Sequence, residues 1–135
     1  MLSRLRVKNY ALIEEMDLTF GAGLNILTGQ TGAGKSILIG SMNLIIGEKA
    51  STEMVRSGAE EAFVEATFEL AGKVPDLLSS YVRVGEPVLV RRQVIRGGRS
   101  YAFVNDHQVT VGKLKEIGNI LLCLLYTSPS PRDRG

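Results

Sequence analysis

The chain has 135 residues, 44% hydrophobic and 22% charged, the make-up of one globular domain or part of one. Its 16 basic and 14 acidic side chains leave a net charge of +2, too little to argue for a nucleic-acid partner by itself. A single cysteine, Cys123, excludes an internal disulfide, fits a reducing compartment and is expected to be a small buried hydrophobe. Arg4, Arg6 and Lys8 interrupt any apolar core of a secretory signal, and no apolar run approaches the ~20 residues of a membrane span. The chain is therefore expected to be cytoplasmic, with no membrane partner.

Leu2, Leu5 and Val7, interleaved with polar residues, predict a first strand. Residues 13–20 predict a second, ending at Gly21-Ala22-Gly23, and Leu24-Asn25-Ile26-Leu27 a short buried third. A helix follows from Ser36 to Ile46, apolar nearly all round and so expected to be buried on more than one side, with Gly47 as its stop. Residues 48–59 read mostly as loop. Residues 62–70 alternate, Phe63, Glu65 and Thr67 against Val64, Ala66 and Phe68, as a strand does. A short helix is expected over Pro75 to Tyr81. Val88 to Ile95 and Ser100 to Val104 form a hairpin about Gly97-Gly98, and Asn105-Asp106 makes another turn. Thr110 is placed to cap a helix from Val111 to about Leu122. The class is mixed α/β, without internal repeats.

Between the third strand and its helix lies Gly29-Gln30-Thr31-Gly32-Ala33-Gly34-Lys35-Ser36, which fits G-x-x-x-x-G-K-[ST], the phosphate-binding P-loop. Glycines let the main chain curl tightly about an anion, successive N–H groups converge on it, and the helix N-terminus adds partial positive charge. In that pattern the lysine, Lys35, reaches the β- and γ-phosphates and the hydroxyl of Ser36 ligates Mg²⁺. ATP and Mg²⁺ are the implied cofactors. Two strands precede the strand that carries the loop, an order that suits ABC-type ATPase heads, where an antiparallel layer packs beside the nucleotide-binding core.

Several stretches resemble the N-terminal head segment of the RecN family of bacterial DNA repair proteins, SMC-like ATPases of the ABC superfamily. They are Leu5 to Ile13 with its Asn9-Tyr10-Ala11 turn, the P-loop from Gly29 to Ile37, and Met54-Val55-Arg56-Ser57-Gly58-Ala59. The hairpin also resembles that family's, in Leu89-Val90-Arg91-Arg92, Gly98-Arg99-Ser100 and Phe103-Val104-Asn105. The resemblance covers about residues 1–122, read as the front part of an ABC/SMC-type ATPase head with antiparallel strands beside the P-loop core in a mixed sheet. Gln30 stands where the family usually has Glu, a change that backbone-mediated phosphate binding tolerates. Residues 123–135 depart from the family, which continues into a loop whose glutamine senses Mg²⁺ and the γ-phosphate. Cys123 to Gly135 resembles translated adapter read-through or a Pro/Ser-rich disordered tail, and in either case residues 126–135 are not expected to join the fold.

The resemblance implies a nucleoid-associated bacterial ATPase acting in recombinational repair of DNA double-strand breaks, with head-to-head homodimers that sandwich ATP and with DNA as partner. Hydrolysis would also need the glutamine loop, a Mg²⁺-binding aspartate, a glutamate that polarises water and a serine-glycine signature loop, none recognisable here. The chain is expected to bind ATP without completing hydrolysis alone. Two alternatives stand beside this: another ABC-type recombination ATPase, RecF-like and without long coiled coils, and a nucleotide-binding module without turnover. Lys8 and Asn9 occupy the place where related heads bring a basic or polar residue near the nucleotide. Arg56 is read equally as a contact to DNA or to the opposing head and as a solvated loop charge, whereas Arg91, Arg92, Arg96 and Arg99 of the hairpin are read as ordinary surface charge in preference to DNA contacts, since alternation puts Arg91 and Arg92 on opposite faces. His107 is read as a turn residue.

Overall fold

A computed structural model of the chain describes residues 2–19, 32–50, 52–70 and 74–127, with the backbone alone for 32–36, 52 and 124–127. Among the described residues six strands form one sheet: β1 (Leu2–Tyr10), β2 (Ile13–Thr19), β3 (Glu61–Phe68), β4 (Val88–Ile95), β5 (Ser100–Val104) and β6 (His107–Val109), in the order β2-β1-β3-β4-β5-β6. Every pairing among the described residues is antiparallel. The strand expected at Leu24 to Leu27, and the glycine turn before it, lie outside the described residues. Helix α1 (Gly32–Ile45) falls between β2 and β3 in the chain, and helix α2 (Val111–Thr127) follows β6.

Alternation sets the two faces of the sheet. Ala62, Val64, Ala66 and Phe68 of β3 are buried, as are Leu5 and Val7 of β1 and Val88, Val90 and Val94 of β4. These side chains meet Ile37, Leu44 and Ile45 of α1 and Leu114, Ile117 and Leu121 of α2, so both helices lie on this inner face. Burial of this apolar surface is the main stabilising term of the fold. Within α1 the expected burial on more than one side is found, since Ile37, Ser41, Leu44 and Ile45 are buried and Leu38 and Met42 pack partly on the core, while Ile39, 61% exposed, marks the open side.

Local chemistry explains most element boundaries. Gly47, at φ +98°, closes α1: its N–H reaches the Leu44 carbonyl at 3.1 Å and the Glu48 N–H reaches Asn43 at 2.9 Å, the paired bonds of a left-handed helix stop. Thr110 caps α2, its Oγ1 accepting from the Lys113 N–H at 3.0 Å. The segment expected as a helix at 75–81 is a single 3-10 turn, Asp76–Leu78, that buries Leu78. α2 runs to Thr127, five residues beyond the expected end and across the two residues 126–127 that were not expected to join the fold. No Gly or Pro occurs between Gly118 and Pro129, so nothing local stops it sooner.

His107 is not in a turn. It begins the edge strand β6, just after Asn105 (φ 46°) and Asp106 (φ 75°), which form the two-residue turn. Asn105 also locks the start of β4, accepting from the Leu89 N–H at 2.6 Å through Oδ1 and donating to the Pro87 carbonyl at 3.1 Å. Cys123 is exposed and not buried. The buried stripe of α2 is Leu114, Ile117, Gly118 and Leu121, and a residue two places after Leu121 falls on the far side of a 3.6-residue turn.

Candidate functional site

Helix α1 starts at Gly32, so the last five residues of the P-loop pattern, Gly32, Ala33, Gly34, Lys35 and Ser36, occupy its opening turns. Gly29, Gln30 and Thr31, and with them the conformation of the loop itself, lie outside the described residues. The first turn of α1 contains no acidic residue. The residue types at this helix start, two glycines and an alanine without bulk followed by a lysine and a serine, are of the kind that suits a polyphosphate and a hard cation. No cluster of three or more His, Cys, Asp or Glu side chains among the described residues offers a competing metal site.

The middle of α1 is gripped by the turn after β1. A Cβ on Gly40 would fall under 3.0 Å from the Tyr10 hydroxyl, so the phenol rests on the helix backbone where only glycine leaves room. Tyr10 is 6% exposed, and burial raises its pKa above the usual phenol value. The turn is held from the other side too: the Arg56 N–H donates to the Asn9 carbonyl and the Ala11 N–H to the Met54 carbonyl, both at 2.8 Å. These bonds hold Asn9 (φ 53°) and Ala11 (φ 54°) in the left-handed region, which an alanine rarely adopts without such constraint. Two of the family-like stretches, 5–13 and 54–59, are thus one bonded unit. A lone glycine inside an apolar helix is the sequence signal for this approach.

Of the two β1 residues expected near a nucleotide, Asn9 lies in this turn. Lys8 alternates with the buried Val7 and extends from the face of the sheet opposite α1. The structure therefore does not bring Lys8 to the α1 side.

The C-terminal end of α1 is held by a residue whose expected role was different. Arg92 is not surface charge: it is fully buried, and its Nη1 donates to the carbonyls of Leu44 and Glu48, each at 2.9 Å, while Nη2 reaches Ser100 Oγ at 3.2 Å. A cation at the carbonyl end complements the helix dipole. Burial lowers the Arg92 pKa, the signature of a desolvated guanidinium. Alternation along β4 places position 92 on the inner face, but nothing in the sequence shows the carbonyls that receive it. Beside it α2 crosses at backbone distance, since a Cβ on Gly118 would lie 2.6 Å from Ile46 Cα. Arg96 is exposed but engaged, donating to the carbonyls of Ala59 (2.8 Å) and Arg56 (2.9 Å), so it fastens the 54–59 segment to the hairpin. Arg99 is exposed.

Comparison with known proteins agrees with this architecture. The RecN DNA repair protein of Bacillus subtilis is 41% identical across 90% of this chain and 22% of its own length. RecN of Haemophilus influenzae is 37% identical over 90% of this chain and 23% of its length. The chain thus spans less than a quarter of the length of these relatives. Among solved structures, a chain from work on ATP-driven dimerization and DNA-stimulated activation of SMC ATPases superposes with a TM-score of 0.70 at 17% identity, over 98% of this chain and 94% of that one. The SMC head domain from Thermotoga maritima superposes at 0.60 with 23% identity, covering 86% and 41%. The recombination mediator RecF with ATPγS does so at 0.64 with 20% identity, covering 84% and 29%. A family model described as an AAA domain matches residues 4–123. With an α/β P-loop ATPase fold of the SMC-head type and RecN proteins among its relatives, the chain belongs to the AAA domain family.

Proposed function

We propose that this chain is the ATP-binding part of an SMC-like ATPase that acts in recombinational repair of DNA double-strand breaks in the bacterial cytoplasm. The observation that carries the reading is the run from Gly29 to Ser36 leading into a helix that begins at Gly32, in a chain 41% identical to a RecN protein over most of its own length. In this reading the backbone from Gly29 to Gly34 cradles the phosphates, with Gln30 contributing its N–H, Thr31 and Ala33 flanking the glycines, and Lys35 countering the β- and γ-phosphates. Ser36 holds Mg²⁺, which when bound neutralises charge between those phosphates. Asn9 lies in the turn that meets the middle of α1 at Gly40, and Lys8 extends from the opposite face of the sheet.

Completion of ATP hydrolysis would require groups supplied by the rest of a longer protein and by a second head. Head-to-head dimerization and DNA handling are assigned to that whole assembly. The RecF-like alternative shares the fold at 20% identity, whereas identities of 37–41% to RecN proteins favour the first reading. For the 135-residue chain alone, binding without turnover is expected.

The test is Lys35→Ala, with Mg²⁺-dependent binding of a fluorescent ATP analogue as readout. Removing one charge-assisted contact of roughly 1.5–3 kcal/mol should weaken binding by at least about tenfold with the circular dichroism spectrum unchanged. Equal affinity in the parent and the variant would remove Lys35 from the site.

A further inference from the structure

The sheet face turned away from α1 is built from ion pairs with one conspicuous omission. Arg4 forms a bidentate pair with Asp17 (2.7 and 2.9 Å), and Arg6 pairs with Glu65 at 3.2 Å. Arg91 stands directly across from Glu65 in the β3–β4 register, yet that carboxylate is taken by Arg6. The Arg91 guanidinium carbon lies instead 5.7 Å from the centroid of Phe63 and 5.0 Å from that of Phe103. Its Nε is buried and donates to nothing, and no carboxylate among the described residues pairs with it. Two aromatic rings thus hold a planar cation in place with its hydrogen-bonding capacity unspent. Lys8, equally without an acidic partner among the described residues, shares with Arg91 the lining of a concavity of about 220 Å³, together with Arg6, Glu15, Phe63 and Glu65.

We propose that this concavity binds the C-terminal carboxylate of a peptide from a partner protein, the carboxylate being the peptide's one anionic group there, with Arg91 as the anchor and Phe63 packing against the peptide's last apolar side chain. Three cations against two carboxylates favour a single anionic group. A run of phosphates would meet Glu15 and Glu65 on the lining and Asp17 beside them, which disfavours a nucleic-acid backbone. The volume is below the roughly 300–1,000 Å³ of sites that enclose drug-sized ligands, so it takes one or two residues entering end-on and not a chain running through. A guanidinium with free N–H donors suits the two oxygens of a carboxylate, and the aromatic surface supplies the apolar contact.

The experiment is fluorescence anisotropy of a fluorescein-labelled Ser-Gly-Gly-Leu-Phe peptide with a free carboxyl terminus, titrated with the 135-residue chain. Saturable binding is expected, weakened about tenfold or more by Arg91→Met and by amidation of the peptide, and to a smaller degree by Arg91→Lys, which keeps the charge and loses the planar fork. Should Arg91→Met fail to fold, Arg91→Lys and Lys8→Met carry the comparison. Equal binding of the amidated peptide, parent-like binding by Arg91→Met, or displacement of the peptide by duplex DNA would each overturn the proposal. No ATP enters the measurement, so its failure is separate from a failure of the ATP-site assignment.

Discussion

The contact between Tyr10 and Gly40 yields a prediction whose sign depends on the partner. In an exposed helix interior, Gly→Ala stabilises by about 1 kcal/mol. Here the new Cβ would collide with the Tyr10 hydroxyl, and Tyr10 cannot swing away cheaply because it is buried and its turn is bonded on both sides. Overpacking of this kind costs about 1–3 kcal/mol, so Gly40→Ala alone should be net destabilising by about 1 kcal/mol. Removing the hydroxyl reverses the balance: the next ring atom, Tyr10 Cζ, is 3.5 Å from the added carbon, an ordinary contact. In a Tyr10→Phe background, Gly40→Ala should therefore stabilise by about 1 kcal/mol, giving a coupling of roughly 2 kcal/mol. Urea unfolding of the parent, the two single variants and the double variant measures this, provided the four m-values agree. Additivity within about 0.5 kcal/mol would refute the claim that the phenol rests on α1 at Gly40.

Arg92→Met removes the donor that serves Leu44 and Glu48 and should cost about 2–4 kcal/mol in urea unfolding, with Arg92→Lys recovering only part because an ammonium lacks the fork. A loss under about 0.5 kcal/mol would mean that the lifted desolvation of the guanidinium offsets the lost bonds. Gly118→Ala drives a Cβ into the backbone of Ile46 and should lower stability by about 1–3 kcal/mol, whereas Gly112→Ala, whose nearest neighbour is Thr110 Oγ1 at 4.0 Å, should not. The Asp17 carboxyl is held below its ordinary value, first by the Arg4 hydrogen bond, so its contribution is present above the unfolded-state pKa and fades as pH falls through the folded one. The stability gap between the parent and Asp17→Asn should accordingly narrow in acid titrations below about pH 4, and a gap that widens there would contradict the pairing.

How far the sequence could be read depended on the range of the forces involved. Strand alternation at 62–68, the helix stop at Gly47, the Thr110 cap and the glycine turn at 97–98 are local chemistry, and each appears where the pattern places it. The candidate phosphate site rests on the same kind of local pattern, since eight consecutive residues carry its logic, and it stands as a proposal. What stayed hidden is non-local. Arg92 reads like its neighbour Arg91 in a list of hairpin arginines, but one meets helix carbonyls 44–48 residues earlier in the chain and the other meets two phenylalanines. Lys8 looked like a nucleotide-proximal residue because it adjoins Asn9, yet pleating turns it to the far face. His107 missed assignment to a strand because three residues are too few for periodicity to register.

The helix that opens at the P-loop is restrained at its middle and at its end by groups from four other segments. The Tyr10 turn fixes one side at Gly40, the 54–56 segment fixes that turn, Arg92 takes the terminal carbonyls, and α2 meets the backbone at Ile46. Gly40 is eight residues from Gly32, about 12 Å along the axis at 1.5 Å per residue, and buried Ile37 adds a core contact one turn nearer the start. Such a helix can neither translate nor rotate without breaking buried contacts, so under the proposed ATP-binding reading the N–H groups at Gly32 would be oriented before an anion arrives. That would be preorganisation, with the cost of orienting the dipole belonging to folding and not to binding. It follows that Tyr10→Phe/Gly40→Ala, if it restores stability while moving α1 slightly, should weaken phosphate binding more than it changes unfolding. Nucleotide affinity that merely tracks stability across the four variants would show that the grip on α1 serves the fold alone.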